Sequence, residues 1–575
     1  MKKINLIFLI IGVLTLSGYV IVRYNLRTPG FVSTSAKDPS ASTKPGETSL
    51  DLRPALITKL QQLVKQGSDG LYNLSIHEIE PDLLSSSVLL KKLELRPDSL
   101  AWKSLRDQGN EPSDVFTIVL DSLKIDGIGI KDLVNKDAMN LNSITISSPH
   151  IEVYHNKNAP SKKDQGTLYE KISRQLRHFS VDKIRILDAS LVSHQTKKTD
   201  AMRIRELTIE LGDLLFDSTT QNDKSRFLYS KQALISGKNF SIPSGDRLYN
   251  FKIGSFTLSA TDQVFTARNV LLQPQYSKKD FQKKVHRQLE RYDLAFDHVQ
   301  LKGIEWWRLF NGESLEASSA QINGASAEIY LDRSLPQSPP KIHNFPHQLL
   351  MQLQFPIHIP EISMNGASLL YQEFDPPSGK TASMKINSLH GKILNLTNMP
   401  SVIRSHPEAT VVATGTFLNG IETNLRLGLN LANWKQGAFT AHLSTKEFDG
   451  TIVNPLAEAS GLFMIKRGMV QSMSADVSGN NAQASGKVLL LYTGLHVTPL
   501  EKDKNDPGKL DKKNITSLLA NKLLIKDNNP SGNSAPRNPD CSFTRDPHGS
   551  FFNLIWKTSF VGILKTIGAP EKLAK

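Results

Sequence analysis

The stretch Val115–Lys157, VFTIVLDSLKIDGIGIKDLVNKDAMNLNSITISSPHIEVYHNK, recurs later in the chain as Arg291–Arg333, RYDLAFDHVQLKGIEWWRLFNGESLEASSAQINGASAEIYLDR. The two stretches align without a gap at an offset of 176, and nine of their 43 positions are identical. Recurrence over this length indicates one supersecondary pattern that is used twice. The identical pairs include Asp121 with Asp297, Gly127 with Gly303, Ile128 with Ile304, Asn135 with Asn311, Glu152 with Glu328 and Tyr154 with Tyr330.

Weaker matches flank this pair in the same order. LYNLSI from Leu71 matches LYNFKI from Leu248 at an offset of 177, and Val181–Val192 matches Ile359–Leu370 at an offset of 178. Small loop insertions explain a drift of two residues, because loops tolerate such changes. The sequence therefore predicts two copies of about 175 residues each, within 51–225 and 226–399.

Apolar and polar residues alternate within each copy, as at Phe116, Ile118 and Leu120. A period of two predicts half-buried antiparallel strands. The alternation continues through residues 400–500, so the expected fold class is mainly β: an elongated antiparallel sheet with short helices. Turns or bulges are expected at Asp126-Gly127, Ser148-Pro149 and Asn365-Gly366, and short helices only at Ile130–Leu133, Leu168–Leu176 and Asp280–Leu289.

The apolar face of such a sheet must be covered. A second sheet that closes over it would make a sandwich with a filled core. A curled open sheet would instead leave the face accessible as a trough, which repeats stacked in one dimension favour. The pattern alone leaves both alternatives open. The residues that would line a trough, and that would be the candidate lipid-contacting residues if the trough carries lipid, are Ile118, Leu120, Ile144, Ile146, Ile204, Ile209 and Ile322.

The N-terminal segment Ile4–Val22 has the length and composition of a membrane span. Its 19 residues would form about 28 Å of helix, against a hydrocarbon core of about 30 Å. No Ala-x-Ala site follows, which favours an uncleaved anchor over a cleaved signal peptide. Lys2 and Lys3 favour a cytoplasmic N-terminus, so the bulk of the chain is expected to be exported. Residues 28–50, rich in Ser, Thr, Pro and Gly, are typical of a flexible linker.

The charge balance favours an anionic neighbour. The 575 residues include 69 Lys and Arg against 55 Asp and Glu, a net charge of +14. An exported chain meets lipid or glycan, so we expect no nucleic-acid partner. The single cysteine, Cys541, excludes a disulfide framework within the chain and a cysteine-ligated metal cluster.

Motifs for catalysis are absent from the sequence. HExxH, GxSxG and CxxC do not occur, and the 15 histidines are scattered. The segment Gly379–Thr381 ends like a phosphate-binding loop, but Phe374 stands where its first glycine is needed. Glu152 and Glu328 recur because their strands recur, which is the ordinary behaviour of solvent-facing residues in repeats. We therefore predict no enzyme activity, no catalytic or metal site and no cofactor.

The C-terminal part divides into a polar stretch and an amphipathic helix. Residues 501–549 are rich in Lys, Asn and Pro and predict an irregular excursion. In 550–575, apolar residues recur every three or four positions, which predicts a helix. That helix either caps the sheet or contacts a membrane or partner protein, and both alternatives stay open. The candidate contact residues are Phe551, Phe552, Ile555, Trp556, Phe560, Ile563 and Leu564.

Several of these segments together resemble the AsmA-like family of bacterial envelope proteins. The resemblance rests on the anchor, on FTIVLDSLKIDGIGIKDL at Phe116–Leu133, on SITISSPHIEVY at Ser143–Tyr154, on HFSVDKIRILDASLV at His178–Val192 and on the C-terminal stretch from Gly468 to Gly568. It implies an inner-membrane anchor within 1–27, a periplasmic β-groove, and a family C-terminal module over 400–500.

The resemblance also implies a noncatalytic role in lipid passage or outer-membrane assembly. The partners it implies are the inner membrane, phospholipid or lipopolysaccharide, and other envelope proteins. The alternative, which does not depend on the resemblance, is a structural or adhesive envelope scaffold of closed sandwiches that binds protein or glycan. The two differ in whether the apolar face is open or filled.

Overall fold

The computed structural model describes residues 53–68, 70–82, 84–109, 112, 114–127, 138–155, 178–194, 201–220, 223–376, 379–418, 420–459, 463–502, 510–512 and 525–574. The expected anchor at 4–22, the linker at 28–50 and the helices at Ile130–Leu133 and Leu168–Leu176 lie outside these residues. Within the described part of the chain, no helix has the length and hydropathy needed to cross a bilayer. The described chain is mainly β, as expected, and forms two compact units.

The first unit comprises residues up to Pro243 together with Ile253–Phe265. Its strands are β1 (Tyr72–Asp82), β2 (Ser87–Pro97), β3 (Asp114–Asp126), β4 (Ala138–Ser147), β5 (His150–His155), β6 (His178–His194), β7 (Ala201–Phe216) and β8 (Ser230–Pro243). They pair in chain order, except that β4 and β5 lie end to end between β3 and β6. Two helices, α1 (Arg53–Gly67) and α2 (Ser99–Asp107), belong to this unit.

The second unit comprises Ser244–Lys252 and residues 266–575, so β9 (Tyr249–Ser259) and β10 (Val264–Pro274) contribute to both units. Its long strands are β11 (Arg291–Lys302), β13 (Ser319–Asp332), β14 (Ile357–Asp375), β15 (Lys380–Thr397), β16 (Glu408–Phe417), β17 (Ile421–Asn430), β18 (Phe439–Thr445), β20 (Phe463–Gly479), β21 (Gln483–Lys502) and β23 (Asp540–Thr544). These pair in the order just given. The short strands β12 (Leu315–Glu316), β19 (Phe448–Asp449) and β22 (Leu510–Lys512) pair with β14, β20 and β21.

Helices of the second unit lie mostly at strand connections. They are α3 (Lys278–Val285), α4 (Trp306–Phe310), α5 (Pro346–Gln352), α6 (Pro400–Ser405), α7 (Asn454–Ala459) and α8 (Phe551–Ile567). The helix expected at Asp280–Leu289 is α3, which starts earlier because the Ser277 side chain caps the Asp280 amide. It ends earlier because His286 adopts a left-handed conformation with φ of 53°.

The strand register repeats at the offset of the sequence alignment. Val115 pairs with Tyr154 across β3 and β5, and Arg291 pairs with Tyr330 across β11 and β13. In this pair each second-copy residue is its first-copy counterpart plus 176, and the offset grows to 178 and 182 further along the chain. Further equivalent pairs are Glu152–Val192 with Glu328–Leu370, and Ile184–Leu211 with Ile362–Ile393.

Irregularities in the strands recur as well. Register shifts fall between Ile186 and Leu191 in β6 and between Met364 and Leu369 in β14, again at an offset of 178. Bulges of this kind bend a strand locally, so the two copies share their bends as well as their pairing. Left-handed backbone recurs at Gly127 (φ 81°) and Gly303 (φ 62°), at Ser148 and Gly324, and at Asp188 and Gly366. The hydroxyl of Tyr72 accepts a hydrogen bond from the Phe116 amide, and that of Tyr249 accepts one from the Tyr292 amide.

The expectation of a wholly antiparallel sheet is wrong, because the pairing is mixed. Strand β6 runs parallel to β4 and β5, and β14 runs parallel to β12 and β13. Parallel neighbours need a crossover of a dozen or more residues, and residues 333–356 supply one between β13 and β14. The helix α5 lies in this crossover.

Two features describe the C-terminal part of the second unit. The residues expected as a second repeat at 226–399 and those of the module at 400–500 fall largely within one compact unit. Within 501–549, the described residues 525–549 pack onto the sheet through β23 and Asn529. The fully buried Asn529 amide donates to the carbonyls of Leu490 and Arg537 and accepts from the Arg537 amide. Three hydrogen bonds from one side chain hold this polar stretch in place.

Candidate functional site: the apolar face of the sheet

Each unit has an inner face that is mainly apolar and an outer face that is mainly polar. Paired residues of neighbouring strands point to the same side of the sheet, so a row of successive partners lies on one face. The inner face of the first unit carries a row of successive partners across β3, β4, β6 and β7: Leu123, Ile146, Ile186 and Ile209. The inner face of the second unit carries the equivalent row across β11, β13, β14 and β15: Val299, Ile322, Met364 and Gly391.

The inner face of the first unit is closed around the row Leu123, Ile146 and Ile186, while Ile151 and Leu191 in a neighbouring row are half-buried. The structure brings the six candidate lipid-contacting residues of this copy to that face, in neighbouring rows. Ile118, Leu120, Ile144, Ile146 and Ile209 are exposed by no more than 4%, and Ile204 is half-buried. At these exposures water does not reach the side chains, so this part of the face behaves as a core.

The inner face of the second unit is more open. The row Leu123, Ile146 and Ile186 is buried in the first unit, whereas Val299, Ile322 and Met364 are half-buried. Two inner residues of the second copy, Ala320 and Ile362, stay buried. We call the half-buried part over β11 to β15 the open face; it includes Leu294, Phe296, Val299, Leu301, Ile322, Met364, Leu369 and Ile393.

The helix α8 covers the rest of the inner face in the second unit. Phe551, Phe560 and Leu564 are buried against strands β16 to β23. The ring of Phe551 lies 4.9 Å from those of both Phe345 and Phe439. Ile555 and Ile563 are half-buried and pack against the same clusters. The residues of the predicted contact surface that face solvent are Phe552 and Trp556, which are 58% and 42% exposed.

One end of the open face is polar. Beyond the row Tyr292, Ile329 and Tyr371, the next row places Glu373 beside Leu331. The Glu373 carboxylate accepts hydrogen bonds from the Tyr371 hydroxyl at 2.8 Å and from the Arg333 guanidinium at 3.0 Å. Burial, with a contribution from Glu373, raises the pKa of Tyr371, so this phenol stays protonated and keeps donating.

A second carboxylate and two lysines stand near this end. Glu290, whose charge also acts on Tyr371, forms an ion pair with Lys341. Lys557 on α8 is half-buried, and its ammonium donates to the carbonyl of Ala574 at 2.7 Å. Burial and the neighbouring Arg333 lower the pKa of Lys557, while Glu373 opposes that change. Among the described residues, no carboxylate lies within ion-pair distance of this ammonium.

The outer face of the second unit is mostly polar, although Leu394 and Val412 are exposed on it. An ion pair joins Lys392 and Glu361 at 2.8 Å on neighbouring strands there, and a hydrogen bond joins His442 and Asp476 at 2.6 Å. Two shallow clefts of about 360 and 350 Å³ lie on this face. Glu408, Gly428, Thr440 and Ser478 line both clefts.

The recurring carboxylates take different partners in the two copies. Glu152 accepts a hydrogen bond from the Tyr154 hydroxyl at 2.7 Å. Glu328 instead pairs with Lys278 at 2.7 Å, and this lysine lies 5.2 Å from the Tyr330 ring centre. In the described residues, no three His, Cys, Asp or Glu side chains are grouped to hold a metal ion. Cys541 is buried, and burial raises the pKa of its thiol.

Sequence reasoning missed the polar end of the open face. Arg333, Glu373 and Lys557 are far apart in sequence, and only strand register and helix packing bring them together. Glu373 does carry one local signal, because a tyrosine stands two positions before it on the same face of a strand. The pair Tyr154 and Glu152 shows the same two types in reverse order on the outer face.

The sequence fits no family model, and no curated protein is significantly similar to it.

Proposed function

We propose that this chain is a noncatalytic, membrane-anchored envelope protein of AsmA-like type, and that the open face of its second unit holds acyl chains. The observation that carries the proposal is the difference between equivalent positions. The same register and bends produce a filled core in the first unit and a half-exposed apolar surface in the second. Apolar surface that solvent can reach is a feature of interaction sites.

The physical argument concerns the free energy of apolar burial. Each methylene group moved from water into apolar surroundings contributes about 0.8 kcal/mol. An acyl chain on the open face would bury its own methylenes together with parts of Leu294, Phe296 and Ile322. The polar outer face lacks this driving force. Binding is therefore expected on one side of the sheet only.

The location proposed for the protein follows from the sequence. The segment at 4–22 would anchor it in the inner membrane as a single span, with a cytoplasmic N-terminus and a periplasmic body. Its proposed partners are the inner membrane, phospholipid or lipopolysaccharide, and other envelope proteins. Its role would be lipid passage or outer-membrane assembly.

The alternative function is a structural or adhesive envelope scaffold that binds protein or glycan. The closed inner face of the first unit favours it, since Ile144 and Ile184 there are fully buried. In this alternative the outer polar clefts of the second unit would be the binding surface.

Photo-crosslinking in living cells tests the proposal on the full chain. A photoreactive phenylalanine analogue would replace Ile322 on the open face, and Gln321 on the opposite face would serve as the matched control. We expect lipid adducts, identified by mass spectrometry, from position 322 and none from position 321. Protein or glycan adducts at 321 with no lipid at 322 would favour the scaffold and contradict the lipid proposal.

A further inference from the structure

The polar end of the open face has the charges of a binding site for an anion. Arg333 and Lys557 each bring a positive charge to this end of the face, and Glu373 brings a negative one. Arg333 and Glu373 neutralise each other across 3.0 Å. Lys557 adds a positive charge that no described carboxylate pairs at close range.

The setting of Lys557 makes this charge unusual. Its ammonium has three donors, and the Ala574 carbonyl takes one of them. The side chain is half-buried on α8, with the like charge of Arg333 near it. Burial and the neighbouring cation oppose the charged form of Lys557, whereas the carboxylates of Glu373 and Asp546 favour it, and an anion at the ammonium would favour it further.

Apolar residues lead directly to this cluster. From Glu373, strand β14 runs back through Tyr371, Leu369 and Ala367 on the inner face. Six residues of extended strand span about 20 Å. The open face therefore offers an apolar path of this length that ends at two cations, a phenol and the Glu373 carboxylate.

We infer that Arg333 and Lys557 bind the anionic group, a phosphate or a carboxylate, of an amphiphile whose chain lies on the open face; this inference rests on the function proposed above. Arg333 can turn part of its guanidinium to the ligand because its side chain is about half exposed, at 52%. Lys557 supplies its two remaining N–H donors. The Tyr371 hydroxyl keeps the Glu373 carboxylate occupied and so reduces its repulsion of the ligand.

Equilibrium binding to the purified full chain in uncharged detergent tests this site. The radiolabelled probes are a long-chain fatty acid, the alcohol of the same chain length, and phosphatidylglycerol. The fatty acid and the alcohol share one chain, so they separate recognition of the anion from apolar binding. Inorganic phosphate is added as a competitor, because it carries the anion without a chain.

The variants are Lys557→Met and Arg333→Gln, each with a matched control. Lys565→Met removes another lysine of α8, which pairs with Glu571 at 3.3 Å. Arg308→Gln removes an arginine of similar exposure, 50%, from an ion pair with Glu316 at 2.8 Å. Lys557→Arg keeps the charge and should retain the binding of the anion.

We expect Lys557→Met and Arg333→Gln to weaken fatty-acid and phosphatidylglycerol binding about tenfold while binding of the alcohol stays unchanged. The controls should bind all three probes like the parent chain. Displacement of the fatty acid by millimolar inorganic phosphate would identify a site for free phosphate and contradict the inference that the ligand is an amphiphile. An equal loss of acid and alcohol binding, with a lowered melting temperature, would show that Lys557 only supports the C-terminal turn.

Failure of this site is distinguishable from failure of the proposed function. If the parent binds acid and alcohol equally well and Lys557→Met changes neither, the anion site is wrong and the apolar face stands. If the parent binds none of the three probes and position 322 yields no lipid adduct, the proposed function is wrong and the anion site falls with it.

Discussion

Ile146 and Ile322 are the same residue at equivalent positions of two copies, yet Ile146 is 2% exposed and Ile322 is half-buried. Each pairs across its sheet with the equivalent partner, Leu123 for Ile146 and Val299 for Ile322. Side-chain chemistry and register are therefore the same at both positions. What differs is the covering of the face.

A glutamate substitution at these two positions should separate a core from an accessible surface. Ile146→Glu buries a carboxyl in a closed face and should destabilise the first unit by several kcal/mol, of the order of 3–5. Ile322→Glu leaves the carboxylate in contact with water and should cost about 1 kcal/mol or less. Urea unfolding followed by circular dichroism measures both. Equal losses at the two sites would show that the open face is a core as well.

The glycines of the second copy allow a test of the bent strand. Gly324 and Gly366 have φ values of 61° and 66°, where a side chain is strained. A Cβ at Gly324 would also clash with the Asp297 side chain, whereas a Cβ at Gly366 would meet open space. Gly366→Ala should therefore cost about 1–2 kcal/mol, and Gly324→Ala clearly more. Thermal melts of the two alanine variants measure both losses of stability. A smaller loss for Gly324→Ala than for Gly366→Ala would contradict the contact between Gly324 and Asp297.

Two adjacent phenylalanines of α8 should respond in opposite ways. Phe551 is buried between the rings of Phe345 and Phe439, so Phe551→Ala should cost about 3–5 kcal/mol. Phe552 is mostly exposed, and Phe552→Ala should change the stability by no more than about 0.5 kcal/mol. Denaturant unfolding of both variants measures this. A large loss at Phe552 would mean that α8 is covered on its outer side too.

Membrane association tests the anchor at 4–22. Val13→Arg places a charge at the centre of the apolar run, at a cost of about 2.5–3.5 kcal/mol for insertion. We expect the parent chain to stay in the membrane after carbonate washing, with its N-terminus at or near Met1, and Val13→Arg to be released. Thr28→Arg, outside the run, is the control. A mature N-terminus beyond Val22 would show that the segment is a cleaved signal.

The repeated strand pairing was predictable because a gapless alignment of two copies also determines which residues pair in the second copy. A gapless offset of 176 requires equivalent pairs once both copies form the same strands, and Arg291 with Tyr330 follows from Val115 with Tyr154. Parallel pairing was not predictable in the same way, because alternation does not record the direction of a neighbouring strand. The long connection 333–356 was the available signal.

The burial of α8 was hidden by its hydroxyl residues. Thr558, Ser559 and Thr566 suggest a polar helix face, yet all three are buried. Each donates its hydroxyl to the carbonyl four residues earlier, at 2.8, 2.9 and 2.8 Å. The donor is thus satisfied within the helix, and a polar residue can be buried without a partner from the sheet. Pattern reasoning counts such residues as solvent-facing.

Acid should destabilise the second unit through His347. This residue is 1% exposed, and neither ring nitrogen has a hydrogen-bond partner among the described residues. Burial lowers the pKa of His347 to about 4, below the 6.5 of an ordinary histidine. The unfolded chain then binds the proton more tightly than the folded chain, so stability falls as the pH drops from about 6.5 to about 4. The loss attributable to this residue is of the order of 3 kcal/mol.

His347→Leu should be less sensitive to pH over that range, as measured by urea unfolding at pH 7 and pH 4.5. His343→Leu, which replaces a hydrogen-bonded histidine nearby, is the control. If the pH dependence of His347→Leu equals that of the parent, the histidine is protonated in the folded state and must have a partner there.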